Sequence, residues 1–197
     1  DHGKLYKTYT KEMADGMGVY FDREINNRLR GVSRMASLEI ILERYTGPAL
    51  TNGEKEALAT KKNDIYRKLL SRMSPADLSD DVKTTLDALR AKGLKLAIGS
   101  SSKNAPFILE RIGLAGYFDA ISDGNNISRS KPNPEVFLKA AEFLGLQPID
   151  CLVVEDAIAG AEAGHAGGFT VACVGDTSDA KAGDHNLDCF SSLLEVL

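Results

Sequence analysis

The sequence predicts an α/β fold, a parallel sheet with right-handed crossovers preceded by an all-helical N-terminal region. Three observations predict it. From residue 94 onward, short apolar runs alternate with helical patterns in the order strand, helix, strand, helix. Before residue 75 the apolar residues recur at helical spacing, and no convincing strand appears. The run Cys151-Leu-Val-Val154, apolar enough for burial on both faces of such a sheet, stops abruptly at two acids, Glu155 and Asp156. Open α/β sheets gather their ligands at the C-terminal ends of strands, so this acid pair marks where chemistry is expected.

In the helical region, Leu38, Ile41, Leu42 and Tyr45 fall at i, i+3, i+4 and i+7, one face of a helix. Leu58, Ile65, Leu69 and Met73 mark a second helix, with Gly47-Pro48 and Asn52-Gly53 separating the two. Ser74-Pro75 is a boundary, which divides the chain into residues 1–75 and 76–197. Ser79 or Asp80 can cap a helix bearing Val82, Leu86 and Leu89, which Gly93 ends. Leu94 to Ile98 reads as a strand, followed by Gly99 and three serines. A helix with Phe107, Ile108 and Ile112 runs to Gly113, and Asp119 to Ser122 is a short strand. Asn133-Pro134 opens a helix whose face carries Phe137, Ala140, Ala141 and Leu144, with Gly145 after it. The Cys151 strand, an Ala/Gly-rich helix, a strand from Thr170 to Val174, a weak strand at Asp188 to Phe190 and a terminal helix complete the chain.

Composition narrows the function classes. With 197 residues, 43% of them hydrophobic and 26% charged, the chain has ample material for a core. A net charge of −4 argues against nucleic acid or an anionic membrane surface as the main partner. No apolar run approaches a membrane span, and the first residues do not resemble a signal peptide. The three cysteines, 151, 173 and 189, sit in apolar runs without framework spacing, so buried, reduced thiols and a cytoplasmic setting are expected. His2, His165 and His185 are scattered and suggest no zinc site.

Three strand ends carry candidate chemistry. Gly99-Ser-Ser-Ser-Lys-Asn104 joins a strand to a helix, where hydroxyls and free N–H groups suit an anion such as phosphate; a Ser-rich helix cap reads equally well. In Ser130-Lys-Pro-Asn-Pro134 two prolines stiffen the loop around Lys131, which favours a fixed charge over an ordinary surface lysine. Glu155 and Asp156 suit a hard cation such as Mg²⁺, which takes oxygen ligands and keeps several waters. Capping of the following helix is the competing reading of that pair.

Taken together and in this order, Ser100, Lys131 and Glu155-Asp156 resemble the second, third and fourth motifs of the haloacid dehalogenase-like phosphotransferases. Further runs resemble the members of that family that isomerise β-glucose 1-phosphate to glucose 6-phosphate: Leu29 to Arg34 with Ser37-Leu38, Lys62-Asn63-Asp64, Ser74 to Asp77, Ser102-Lys103-Asn104, Leu109 to Arg111 and Gly116 to Ala120. The likeness covers most of residues 25 to 160, and Gly31-Val-Ser-Arg34 is its discriminating stretch.

The resemblance implies a Rossmann-like core at 76–197 under a helical cap at 1–75, working as a monomer on small sugar phosphates with Mg²⁺ on Glu155 and Asp156. It implies that Ser100 and Lys131, helped by Ser101, hold the transferring phosphoryl group. Arg34, Ser102, Lys103 and Asn104 would hold the far phosphate of a sugar bisphosphate, and Ser37, Lys62 and Asn63 would face the sugar. The family's first motif is a strand ending in Asp-x-Asp, with the nucleophile and the general acid/base, and nothing in residues 1 to 24 matches it. Asp1 resembles the Asp that follows that motif, so roughly a dozen residues, a strand and its turn, are expected ahead of it. The lost strand would be central, leaving unpaired edges in the middle of the sheet. Tyr6 and Thr10 stand near positions where the family has a His and a Trp, and Ala157 where a Ser is frequent. A sugar-phosphate phosphatase would share the core residues, and a chain truly beginning at Asp1 would read as a non-catalytic phosphometabolite-binding module.

Overall fold

The computed structural model describes residues 10, 11 and 13–197; Asp1 and Tyr6 lie outside the described residues. Past residue 22 the first region folds as α1 (Arg23–Arg28), α2 (Arg34–Leu42) and α3 (Asn52–Leu70). Each begins on a side-chain cap that satisfies a backbone donor the first turn would leave open. Asp22 accepts from Ile25 N at 2.8 Å and Ser33 from Ala36 N at 3.2 Å. Thr51 and Glu54 form a reciprocal capping box. That box starts α3 at Asn52, so Asn52-Gly53, expected to separate two helices, lies inside the first turn. Cap chemistry outweighs the local turn preference there. Leu38 and Ile41 are fully buried, and Ile41 packs with Phe21, Ile25 and Leu29. No strand occurs among the described residues before residue 97.

The second region alternates as expected: α4 (Asp80–Ala91), β1 (Ala97–Gly99), α5 (Ala105–Arg111), β2 (Ala120–Ser122), α6 (Glu135–Leu144), β3 (Leu152–Glu155), α7 (Ile158–Ala166), β4 (Thr170–Cys173), α8 (Asp176–Asp179), β5 (His185–Asn186) and α9 (Leu193–Val196). All ladders are parallel, in the registers Ala97↔Ala120, Leu152↔Thr170 and Ala172↔His185. Two strands differ from the sequence reading by more than one residue at a boundary. β1 begins at Ala97 and not Leu94, because Leu96 N is taken by the Asp119 carboxylate at 2.8 Å and Leu94 is exposed. The last strand is at His185–Asn186 and not 188–190, with Leu187 N continuing to Cys173 O at 2.9 Å and Leu187 buried. The chain then turns, which leaves Cys189 exposed beside the Ser191 and Ser192 hydroxyls; Cys151 is half-buried, and only Cys173 matches the expected buried thiol.

Among the described residues the sheet is in two pieces, β1–β2 and β3–β4–β5, so β1 and β3 each keep an edge without a strand partner. Helix α6 spans the division. Its Val136, Phe137 and Ala141 pack with Val153, Ala161, Phe169 and Val171. The Phe137 ring also lies against Gly99 of β1, where a Cβ would have no room. Because the strands run parallel, the loops after β1, β2 and β3 all open on the same side of the sheet, toward α2 and α3.

Candidate active site

The loop after β1 is tied down residue by residue. Ser100 N donates to Ser122 O at 2.9 Å, and Ser100 Oγ accepts from Ser102 N at 3.2 Å. Ser102 Oγ accepts from Asn104 N at 3.1 Å. The hydroxyls thus fold the loop on itself, and α5 receives no side-chain cap from Asn104. Ser101 Oγ, buried, accepts the Lys131 backbone N–H at 3.3 Å, which joins this loop to the one after β2.

That second loop hangs on Glu135, the first residue of α6. Its carboxylate accepts from Ser128 N at 2.9 Å, Ser128 Oγ at 2.9 Å and Arg129 N at 2.7 Å. These donors, the Ser128 backbone first, hold the Glu135 carboxyl below the usual carboxylate range. Lys131, next to a cis Pro132, is only 6% exposed, which sets aside the surface-lysine reading. Its ammonium pairs with Glu155 Oε1 and lies 4.5 Å from the centroid of the Phe137 ring.

Glu155 ends β3 and is buried too. Its Oε2 accepts from Asp156 N at 3.0 Å and Ala157 N at 3.1 Å. Every oxygen is therefore engaged, as a buried carboxylate requires. The capping reading of the acid pair does not hold: α7 has Ala157 at its N-cap and no side-chain cap. The carboxylate packs over Gly160, and any Cβ at that position would overlap it. Asp156 turns the other way, 62% exposed, and meets Arg30 from the helical region at 2.5 Å; Arg30 also bridges to Asp176 at 3.0 Å.

Asp156 fits Mg²⁺ as a partial donor, whereas Glu155, its oxygens taken by Lys131 and two backbone N–H groups, turns away from it. They are two hard carboxylates on consecutive residues at a strand end, and Mg²⁺ uses one or two such ligands plus waters and phosphate oxygens. Among the described residues no group of three His, Cys, Asp or Glu could hold a metal.

A cleft of about 880 Å³ opens between the loops and the helices α2 and α3. It brings together Arg34, Ser37 and Lys62 from the helical side with Ser101, Ser102, Lys103 and Asn104 from the sheet side. Arg34 sits exposed in the first turn of α2 and makes no ion pair with another described residue. Lys62 is 8% exposed, and burial pulls its ammonium down to about 8. Asn104 is committed to the cleft's edge, with Nδ2 donating to Asn63 at 2.9 Å and Oδ1 accepting from Arg67 at 3.2 Å. It links the two regions instead of facing the open volume.

Ser100, Lys131, Glu155 and Asp156 do not line the cleft. The turn at Gly31 lies beside Lys131 and the start of α7: a Cβ there would sit 3.4 Å from Ala157 Cβ and 3.6 Å from Lys131 Cδ, and the φ of +75° favours glycine. Sequence reasoning missed Arg30 and Arg129. Both directly neighbour quoted motif residues, Gly31 and Ser130, but charge partners distant in sequence are invisible without the fold.

A profile of the haloacid dehalogenase-like hydrolases matches residues 8–168. The chain belongs to that family. It is 40% identical over 168 residues to the β-phosphoglucomutase of Bacillus subtilis (strain 168), spanning 84% of this chain and 74% of that protein. It is 30% identical over 160 residues to the fructose-1-phosphate phosphatase YqaB of Escherichia coli (strain K12), spanning 81% of each. The crystal structure of β-phosphoglucomutase (pgmB) from Clostridium difficile superimposes with a TM-score of 0.89 at 29% identity, covering 98% of this chain and 87% of that one. The haloacid dehalogenase-like Rossmann-type fold is thereby shown. Among the described residues, no helix is long and apolar enough to cross a membrane.

Proposed function

We propose that this protein is a sugar phosphomutase that converts β-glucose 1-phosphate to glucose 6-phosphate through a phosphoaspartate and a 1,6-bisphosphate. The observation that carries the reading is the cleft shared by two regions, with Arg34 and Lys62 on one wall and the Ser101–Asn104 loop with Lys103 on the other. A substrate with a phosphate at each end needs cations for both: Arg34 and Lys103 would take the far one across this cleft, and Lys131 the transferring one beside it. An Arg fork and the N–H groups of a serine loop are suitable donors. This reading requires an aspartate nucleophile, which residues 1–24 do not supply. Residues 1–75 act as a cap over the core at 76–197. Ser100 and Ser101 orient the transferring phosphoryl group by hydrogen bonds, and Lys131 offsets its charge. The Arg30, Gly31 and Asn104 contacts bring the cap down on the core and exclude water, which favours transfer to a sugar hydroxyl over hydrolysis. Mg²⁺, held by Asp156 with Glu155 beside it, would neutralise phosphoryl oxygens when bound.

A sugar-phosphate phosphatase is the second reading, favoured by the solvent exposure of Asp156. Arg34→Ala decides between them in the full-length enzyme. Isomerisation of β-glucose 1-phosphate should fall roughly ten- to a hundredfold more than hydrolysis of a small phosphoester, since only the first uses a charge-assisted bond to the far phosphate. Equal losses in both activities would remove the two-phosphate role.

A further inference from the structure

Four cations line the cleft, Arg34, Lys62, Lys103 and Arg129, against one carboxylate, Glu56, in a chain of net charge −4. Three of them belong to the sugar-bisphosphate reading; Arg129 has no part in it. Its setting is unlike that of an ordinary surface arginine. The backbone on either side is fixed: Ser128 and Arg129 N–H donate to Glu135, and Lys131 N donates to Ser101 Oγ. The guanidinium itself is 73% exposed, and its ion pair is a loose one, Nε to Glu135 Oε2 at 3.9 Å. That carboxylate is already engaged by three donors of the loop. A rigid backbone therefore places a weakly held planar cation on the rim of the cleft, where it also borders a smaller pocket with Glu135 and Lys139.

The wall it stands on is also Lys103's. Gly124 N donates to Ser102 O at 3.3 Å, and Asn125 Nδ2 donates to Lys103 O at 3.3 Å. The segment leading from β2 to Arg129 thus runs along the Lys103 loop, across the open volume from Arg34. We infer that Arg129 is a substrate-binding residue that contacts the phosphate at the far end of a bisphosphorylated sugar, together with Lys103 and opposite Arg34. It raises selectivity for bisphosphates over monophosphates. The inference rests on the two-phosphate reading of the cleft.

Titration calorimetry with glucose 1,6-bisphosphate and with inorganic phosphate tests it on the purified full-length protein. Arg129→Ala should weaken bisphosphate binding about five- to tenfold, the range of an exposed charge-assisted contact, and leave inorganic phosphate unchanged. Lys139→Ala removes a less exposed positive charge (39%, against 73% for Arg129) from α6 outside the cleft and should leave both affinities unchanged. Wild-type affinity in Arg129→Ala, or equal losses in the Arg129 and Lys139 variants, overturns the assignment. If Arg34→Ala also binds the bisphosphate normally, the two-phosphate reading falls and the role of Arg129 falls with it. Arg129→Ala failing alone leaves that reading standing.

Discussion

Lys131→Met is the sharpest perturbation of the core site. Methionine keeps much of the aliphatic stem but removes the ammonium, leaving the Glu155 carboxylate at 8% exposure without its cation. Breaking a buried pair by removing one member costs about 3–5 kcal/mol. The two backbone N–H groups on Glu155 Oε2 remain, so the lower end applies, about 3 kcal/mol. In a chain of this size that corresponds to a melting point lowered by roughly 6–12 °C. Urea denaturation at neutral pH measures it, with the slope of the transition checked for constancy. Adding Glu155→Gln to Lys131→Met removes the stranded charge while keeping an acceptor for the same N–H groups. The double variant should recover more than half of the loss, and the double-mutant cycle gives the coupling directly. A single-variant loss under about 0.5 kcal/mol, the range of ordinary surface changes, would refute the buried pair. So would a double variant whose loss is the sum of the two singles.

Two further predictions concern the neighbourhood. Burial holds the Lys62 ammonium at about 8 against an ordinary 10.5, so between those values the unfolded chain binds more protons and the contribution to stability rises with pH. Wild type should gain on Lys62→Met as urea midpoints are compared from pH 8 to 10.5, and a difference flat in pH would place that amine in solvent. Gly160→Ala should destabilise by about 1–3 kcal/mol, because its Cβ overlaps the Glu155 carboxylate. Gly53→Ala, with nothing within 4 Å in the first turn of α3, should be neutral or stabilising by up to about 1 kcal/mol. Equal effects at the two glycines would mean that Glu155 does not lie where described.

What the sequence discloses and what it hides follow from range. Helix faces such as Leu38 with Ile41, and caps such as Ser79, are local patterns, and they are legible. The β4 run and the helix opened by Asn133 are legible for the same reason; the Asn133 side chain does accept from Glu135 N at 3.1 Å. The errors come where a distant partner decides. Asp119 takes the N–H of Leu96 and shortens β1, and Cys173 draws the last strand to Asn186. In the site, residue types were readable, because serine hydroxyls, a lysine between prolines and paired acids carry their chemistry with them. Their partners were not. No spacing rule shows that Lys131 faces Glu155, that Asn104 is tied to Asn63 and Arg67, or that Arg30 crosses to Asp156.

The turn at Gly31 has a bearing on timing. Lys131 is charge-paired, buried and behind that turn, so no anion reaches it in the described conformation. If Lys131 serves the transferring phosphoryl group as proposed, a ligand reaches it only after the Lys131–Glu155 pair loosens and the turn lifts. The encounter rate is then multiplied by the fraction of molecules that are open, as for any site whose competent state is a minor one. Packing of the Gly31 turn beside Ala157 and Lys131 would then show as slow association and slow escape. Position 31 would then set the timing of the site without touching the ligand.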